Sequence, residues 1–246
     1  MEEQVNRLVE KTWEKYQQTP LSKRLLVAVS GIPGSGKTTL AATITTRLNA
    51  LHHAAHLAAS PTTSIAAFIP MDGYHLSQAQ LSSLPDPTTA HARRGAAFTF
   101  DSAAFLALVQ KLREPLCAET STLYAPSFDH AVKDPVADDI AIHPEARVIV
   151  FEGNYLSLGK GEWGEAARLM DELWFVEVDF AVARERLVRR HVKAGIARDE
   201  EEAGRRADEN DLVNGREIVE GRLEVDEVVV SREGEGWGPE KQGVGG

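Results

Sequence analysis

The stretch SGIPGSGKTT, residues 30–39, places three glycines and a proline ahead of one lysine and two threonines. Gly31 to Thr38 fits the pattern G-x-x-x-x-G-K-[ST]. It follows the apolar run LLVAV (25–29) and opens a helix-compatible segment over 37–50. In that context the pattern carries a mechanism: bare backbone N–H groups converge on phosphate oxygens, and the helix N-terminus adds positive potential. Gly31, Pro33, Gly34, Ser35, Gly36, Lys37, Thr38 and Thr39 are therefore the expected contacts of a nucleotide triphosphate. Lys37 reaches for the β- and γ-phosphates, and the Thr38 hydroxyl is the expected ligand of Mg2+. A chance glycine-rich turn is the competing reading, and both flanks speak against it.

Working outward, AAFIPM (66–71), VIVF (148–151), LWFVEV (173–178) and VDEVVV (225–230) join LLVAV as short apolar runs suited to buried parallel strands. Helical patterns fall at 3–17, 37–50, 77–83, 101–113, 162–170, 180–194 and 199–213. Strands alternating with helices predict an α/β fold, a three-layer α/β/α sandwich with a mostly parallel sheet and a helical lid at about 180–214. The segment 114–146 breaks the rhythm with four prolines and many aspartates. It is expected to be an irregular excursion carrying a short DDIAI strand (138–142). No linker is evident, so residues 1–232 are read as one domain. The glycine-rich end, 233–246, is read as a disordered tail.

A phosphate loop alone does not separate a kinase from other nucleotide hydrolases. No N-K-x-D sequence is present to read guanine. Asp72 closes the run IPMD, 35 residues after Lys37. Adjacent parallel strands end at one ligand crevice, where a carboxylate can accept the proton of an attacking hydroxyl. A plain Asp-Gly turn is the alternative there. Glu152 ends VIVFE, placing a second carboxylate, the candidate metal ligand beside Thr38, near the phosphates; a strand-end cap is its bland reading.

GIPGSGKTT, MDGYHL, RRGAAFTFD, YAPSFDH, FEGNYL and ARERLVRRHV occur in the order shown by the uridine kinase, phosphoribulokinase and pantothenate kinase superfamily. The chain resembles that superfamily from about residue 24 to 214, most of all its uridine kinase-like and fructose-transport kinase-like members. The resemblance implies a P-loop small-molecule kinase using ATP and magnesium, with Asp72 as base and lid arginines from the 180–194 helix. Relatives often carry arginine after Phe-Asp where this chain has His130, which bears on the charge of the acceptor.

Arg186, Arg189, Arg190 and Lys193 share one helical face. Such a face suits closing over phosphates, with Arg186 and Arg190 as catalytic cations and Arg189 on the nucleotide. A solvated face balanced by acids is the alternative. Asp199 and Glu202 are spaced as a capping box. Asn210, Asp211 and Asn214 of ENDLVNG are weaker candidates by resemblance. The acceptor pocket is collected from Tyr74, His75, Arg94, Phe98, Asp101, Tyr124, Asp129, His130, Asn154 and Tyr155. The histidines at 52, 53 and 56 lack an acidic or cysteine partner and are read as surface or core.

Composition agrees with this. The net charge of −10 argues against nucleic-acid and membrane-surface partners. One cysteine excludes an internal disulfide. The acidic N-terminus is unlike a secretory signal or transit peptide, and a cytoplasmic location is the default. The expected partners are ATP and a small acceptor, with a homo-oligomer left open. The acceptor reading favours a nucleoside or unphosphorylated sugar-like alcohol. A pantothenate or glycerate type and a non-kinase ATP-binding regulator stand as alternatives.

Overall fold

The computed structural model describes residues 1–56 and 64–232; the tail expectation for 233–246 lies outside them. In chain order the elements begin α1 (Glu2–Gln18), β1 (Leu25–Gly31), α2 (Lys37–Ala55) and β2 (Ala66–Pro70). After a 3-10 turn at Met71–Tyr74 come α3 (Gln78–Ser82), α4 (Pro87–Ala92) and α5 (Ser102–Arg113). Then follow β3 (Leu123–Asp129), β4 (Asp134–Ile142), β5 (Val148–Gly153), α6 (Gly161–Ala167) and β6 (Glu172–Glu177). The chain continues through α7 (Phe180–Lys193), α8 (Glu200–Arg206), α9 (Leu212–Gly221) and β7 (Glu227–Val230).

The apolar runs become one five-stranded parallel sheet in the order β2-β5-β1-β6-β7. Every residue of β1 and β5 is buried. Alternation is absent from these strands because helices cover both faces. On one face Leu26, Ala28, Ile149 and Phe151 pack with Phe105, Val109, Trp163 and Leu187. On the other, Val27, Val29, Val148 and Val150 meet Leu8 of α1 and Leu40, Ile44 and Leu48 of α2. These are the three layers the sequence predicts. Among the described residues no helix is long and apolar enough to cross a membrane.

Three expectations need correction. The segment 114–146 is not irregular: β3 and β4 form an antiparallel hairpin, and the DDIAI run is the end of β4. Pro126 is tolerated because the register shifts between Ala125 and Ser127, and a two-stranded ribbon has outward edges that need no donor. The helix expected over 199–213 is interrupted. α8 passes into a π-helical turn, Ala207–Asp211, and then into α9, which runs on to Gly221. Asp199 caps α8 through the Glu202 N–H at 2.9 Å, but the Glu202 carboxylate takes the Arg198 N–H instead of completing the box. The short α4, begun by an Asp86 cap with Pro87 in its first turn, was not foreseen.

Candidate active site

Parallel strands ending side by side bring the motifs together. β1 pairs with β5 so that Ser30 lies opposite Gly153, and β2 pairs with β5 so that Pro70 lies opposite Glu152. The phosphate loop, Glu152 and Asp72 therefore share one edge of the sheet. Gly34 holds a φ of 80°, and a Cβ there would stand 2.8 Å from the Ala183 carbonyl oxygen. Only glycine permits α7 to lie so close against the loop.

Behind the loop, Lys37 Nζ lies 3.8 Å from Glu152 Oε1 and donates to the Ile32 carbonyl at 3.4 Å. Burial holds the lysine below its ordinary value, with Glu152, Asp72 and Asp211 acting in the other direction. Burial likewise pushes Glu152 up to about 7, while Lys37 and a hydrogen bond from the Thr38 side chain draw it down and Asp72 adds to the rise. Thr38 and Glu152, the two candidate metal ligands, thus already touch. One hydroxyl and one carboxylate beside a triphosphate suit Mg2+, which keeps several waters and takes other oxygens from the phosphates.

Asp72 sits in the 3-10 turn after β2, its side chain about half exposed. The next residue explains the Asp-Gly pair: a Cβ on Gly73 would be driven into the Pro126 backbone of β3. The turn carrying Asp72 is seated against the hairpin, so glycine here serves close approach rather than a positive φ. His75 donates from Nδ1 to the Asp72 carbonyl at 2.9 Å and packs its ring on Phe100 and Phe128, with centroids 4.0 and 5.0 Å away.

The acceptor candidates divide. His75, Asp72 and Arg94 gather with Phe128 at the hairpin. Arg94 lies over the Phe128 ring and reaches Asp134 at 3.2 Å, the Leu76 carbonyl at 2.9 Å and the Lys133 carbonyl at 2.6 Å. Asn154 follows β5 at the same sheet edge, half-buried. His130 packs edge-on against Phe128 at the hairpin tip.

Other candidates also make contacts within the fold. Tyr74 is buried against Phe105. Tyr155 is buried beside Phe100 and Trp163 and donates its hydroxyl to the Gly95 carbonyl at 2.8 Å. Phe98 is 54% exposed, whereas Phe100 belongs to the core. Asp101 caps α5 through the Ala104 N–H. Asp129 closes the hairpin turn, accepting from the Ala131 and Val132 N–H groups at 2.8 and 3.0 Å. Asp101 and Tyr124 also line a cavity of about 550 Å³ between α5 and the hairpin, together with Gly73, Tyr74 and His75 of the segment that follows Asp72. His52 packs on Trp13, Tyr16 and His56, a helix-surface cluster.

On α7 the basic face is not uniform. Arg186 donates to the Gly34 carbonyl at 3.1 Å and to Ser231 Oγ at 2.9 Å. The charge of Arg190 acts on both Lys37 and Glu152. Arg189 and Lys193 are exposed on the same helix. Ser231 and Arg93 were missed: Arg93 stands in the RRGAAFTFD motif but was not singled out, no motif marks Ser231, and the partners of both lie far along the chain. Arg93 donates to Asn214 Oδ1 at 2.6 Å, and Asn210 Nδ2 donates to the Arg94 carbonyl at 3.0 Å.

No protein-family model matches the chain. Individual relatives do. It is 57% identical over 159 residues to the ATP-dependent kinase-like protein notR' of Aspergillus versicolor, covering 65% of this chain and 92% of that protein. It is 41% identical over 213 residues to a candidate uridine kinase of Schizosaccharomyces pombe, covering 87% and 83% of the two chains. The ATP-dependent kinase YFH7 of Kluyveromyces lactis is 36% identical over 210 residues, 70% of this chain and 58% of that one. Among solved structures, a candidate fructose transport system kinase from Silicibacter sp. TM1040 superposes with a TM-score of 0.76 at 32% identity, covering 91% of this chain and 98% of that one. YFH7 of Saccharomyces cerevisiae shares the fold at a TM-score of 0.81 and 23% identity, covering 94% and 99%. The chain belongs to the ATP-dependent P-loop kinases related to uridine kinase, the YFH7 kinases and the fructose transport system kinase-like proteins.

Proposed function

We propose that this kinase transfers the γ-phosphate of ATP to a hydroxyl of a neutral, polyhydroxylated metabolite, a nucleoside or an unphosphorylated sugar-like alcohol. The observation that carries the acceptor class is the engagement of Arg94. Its guanidinium is taken up by Asp134 and two carbonyls, and its neighbour Arg93 is held by Asn214. A phosphorylated acceptor would want more cationic side chains here, and the hairpin adds only the exposed Lys133. The aromatic surface of His75 and Phe128, with Asp72 beside it, suits hydroxyls and a base or sugar face instead.

In this reading the acceptor oxygen attacks the γ-phosphorus, the bond from phosphorus to the bridging oxygen breaks, and ADP leaves. Asp72 takes the hydroxyl proton. Lys37, drawn by Glu152, stands where charge grows on the transferred phosphoryl group, and Arg190 approaches from α7. Thr38 and Glu152 would hold Mg2+, which when bound neutralises charge on the phosphate oxygens.

The test is ADP release across a panel of nucleosides, sugars, sugar phosphates, pantothenate and glycerate. Turnover with neutral polyols or nucleosides that collapses in Asp72→Asn, while a nonhydrolysable ATP analogue still binds, supports the reading. Strong preference for a sugar phosphate sinks the acceptor class. Full turnover in Asp72→Asn removes the base.

A further inference from the structure

The tip of the β3–β4 hairpin carries a strained residue. Lys133 holds a φ of 61°, in the region that residues other than glycine rarely occupy. Its carbonyl oxygen accepts from Arg94 Nη1 at 2.6 Å. Arg94 Nη2 donates to the Leu76 carbonyl at 2.9 Å and to Asp134 Oδ1 at 3.2 Å. One guanidinium thus clasps the hairpin tip to the segment that follows Asp72. A planar fork of five donors can gather such a set, whereas a neutral side chain offers at most two.

That clasp brings a full positive charge to the acceptor surface. Arg94 lies 5.5 Å from the centre of the Phe128 ring, and Phe128 packs on His75 at 5.0 Å. His75 Nδ1 in turn stands 3.9 Å from Asp72 Oδ1. The two carbonyls share the hydrogen bonds of Arg94 but carry no net charge to set against it. Asp134 does. Its side chain is 29% exposed against 14% for Arg94, so the pair is partly withdrawn from water. The same Oδ1 accepts the Gln78 N–H of α3 at 2.8 Å, which fixes the carboxylate against the guanidinium.

We propose that Asp134 is a specificity-determining residue: it cancels the charge of Arg94 and so keeps phosphorylated and carboxylated acceptors out of a site built for neutral ones. The proposal rests on the acceptor class given above and assigns the residue that enforces it. Asp134 acts through Arg94 and touches no substrate. With the carboxylate gone, the clasp becomes a net cation beside the acceptor, and the repulsion of an anion by Asp134 itself disappears. Discrimination of this kind is carried by a repulsive element as much as by attractive ones.

The experiment uses the full chain saturated with magnesium and AMP-PNP, so that the phosphate loop is filled, and titrates ribose 5-phosphate by calorimetry. Asp134→Asn keeps an oxygen for Gln78 and Arg94 and removes only the charge. It should bind ribose 5-phosphate about five- to thirtyfold more tightly than the unaltered chain. Asp139 is an exposed carboxylate on the same strand, and Asp139→Asn should show no gain. The gain should vanish when Asp134→Asn is combined with Arg94→Gln. Asp134→Ser takes the place of Asp134→Asn if that variant does not fold. A merely structural Asp134 would lower stability on substitution without tightening the binding of an anion. Equal affinity in Asp134→Asn and the unaltered chain, an equal gain in Asp139→Asn, or a gain that survives the loss of Arg94 would overturn the proposal. Preference of the unaltered chain for a sugar phosphate in ADP release would instead defeat the acceptor class, so the two failures are distinguishable.

Discussion

Lys37 Nζ stands 3.8 Å from Glu152 Oε1, with both side chains almost wholly out of water. Burial disfavours the charge on each, and each restores it to the other. Removing the lysine takes away more than a phosphate contact. In Lys37→Ala the carboxylate loses its largest opposing charge, rises further, and is protonated at neutral pH, so it no longer serves a cation. ADP release should fall by about a hundredfold or more, with the circular dichroism spectrum unchanged. Near-normal turnover would refute the role given to Lys37.

The same buried cluster predicts how stability depends on pH without metal. Glu152 sits at about 7 against an ordinary 4.5, so between those values the folded chain holds a proton that the unfolded chain has lost. Its contribution is present below about pH 4.5 and is lost as pH rises through 7. His191 runs the other way. Burial, with Arg190 and Arg206 beside it, holds the imidazole down to about 4 against 6.5, so its contribution is present above 6.5 and lost as pH falls through 4. The two slopes oppose each other between about pH 4.5 and 6.5. In EDTA, the Tm of Glu152→Gln should rise from pH 5 to 6.5, and that of His191→Leu should fall. Parallel profiles for the two variants would contradict the assignment.

Gly73 ties the Asp72 turn to the hairpin, and a methyl group there has no room against the Pro126 backbone. Gly73→Ala should therefore push β3 away from the turn, at a cost of about 1–3 kcal/mol. Tm should drop by several degrees, and acceptor-dependent ADP release should fall while AMP-PNP binding survives. An unchanged Tm would mean that the hairpin is not held at this point.

The phosphate loop and the sheet were legible in the sequence because both are local. A glycine pattern after an apolar run states its own geometry, and strands covered on both faces read as unbroken apolar stretches. The hairpin was not legible, because Pro126, Pro135 and the aspartates of β4 mask its alternation, and pairing across a ribbon tolerates all of them. The contacts of the candidate acceptor residues were not legible. A tyrosine in a motif reads alike whether it meets a ligand or the core, and Tyr155 meets Phe100, Trp163 and the Gly95 carbonyl. Arg94 looks available until Asp134, 40 residues away, folds against it. The π-helical turn leaves no mark in apolar spacing.

Arg186 and Arg190 look equivalent in sequence, four residues apart on one face of α7, yet they act on different parts of the site. Arg186 bridges the Gly34 carbonyl of the phosphate loop and Ser231 just beyond β7, where the Ser231 N–H is in turn held by the Glu177 carbonyl. That bridge braces the loop before any nucleotide arrives, so its loss should show in the ground state. Arg186→Ala should weaken AMP-PNP binding about five- to thirtyfold, the equivalent of about 1–2 kcal/mol for charge-assisted hydrogen bonds, and lower turnover with it. Arg190 has its influence on the charges of Lys37 and Glu152 instead. Arg190→Ala should leave AMP-PNP binding within about twofold while lowering kcat roughly tenfold or more. Calorimetry on both variants, read against their kcat values, separates the roles. If Arg186→Ala binds AMP-PNP normally and loses only turnover, then Arg186 releases the loop and swings to the phosphates, and the brace is not its function.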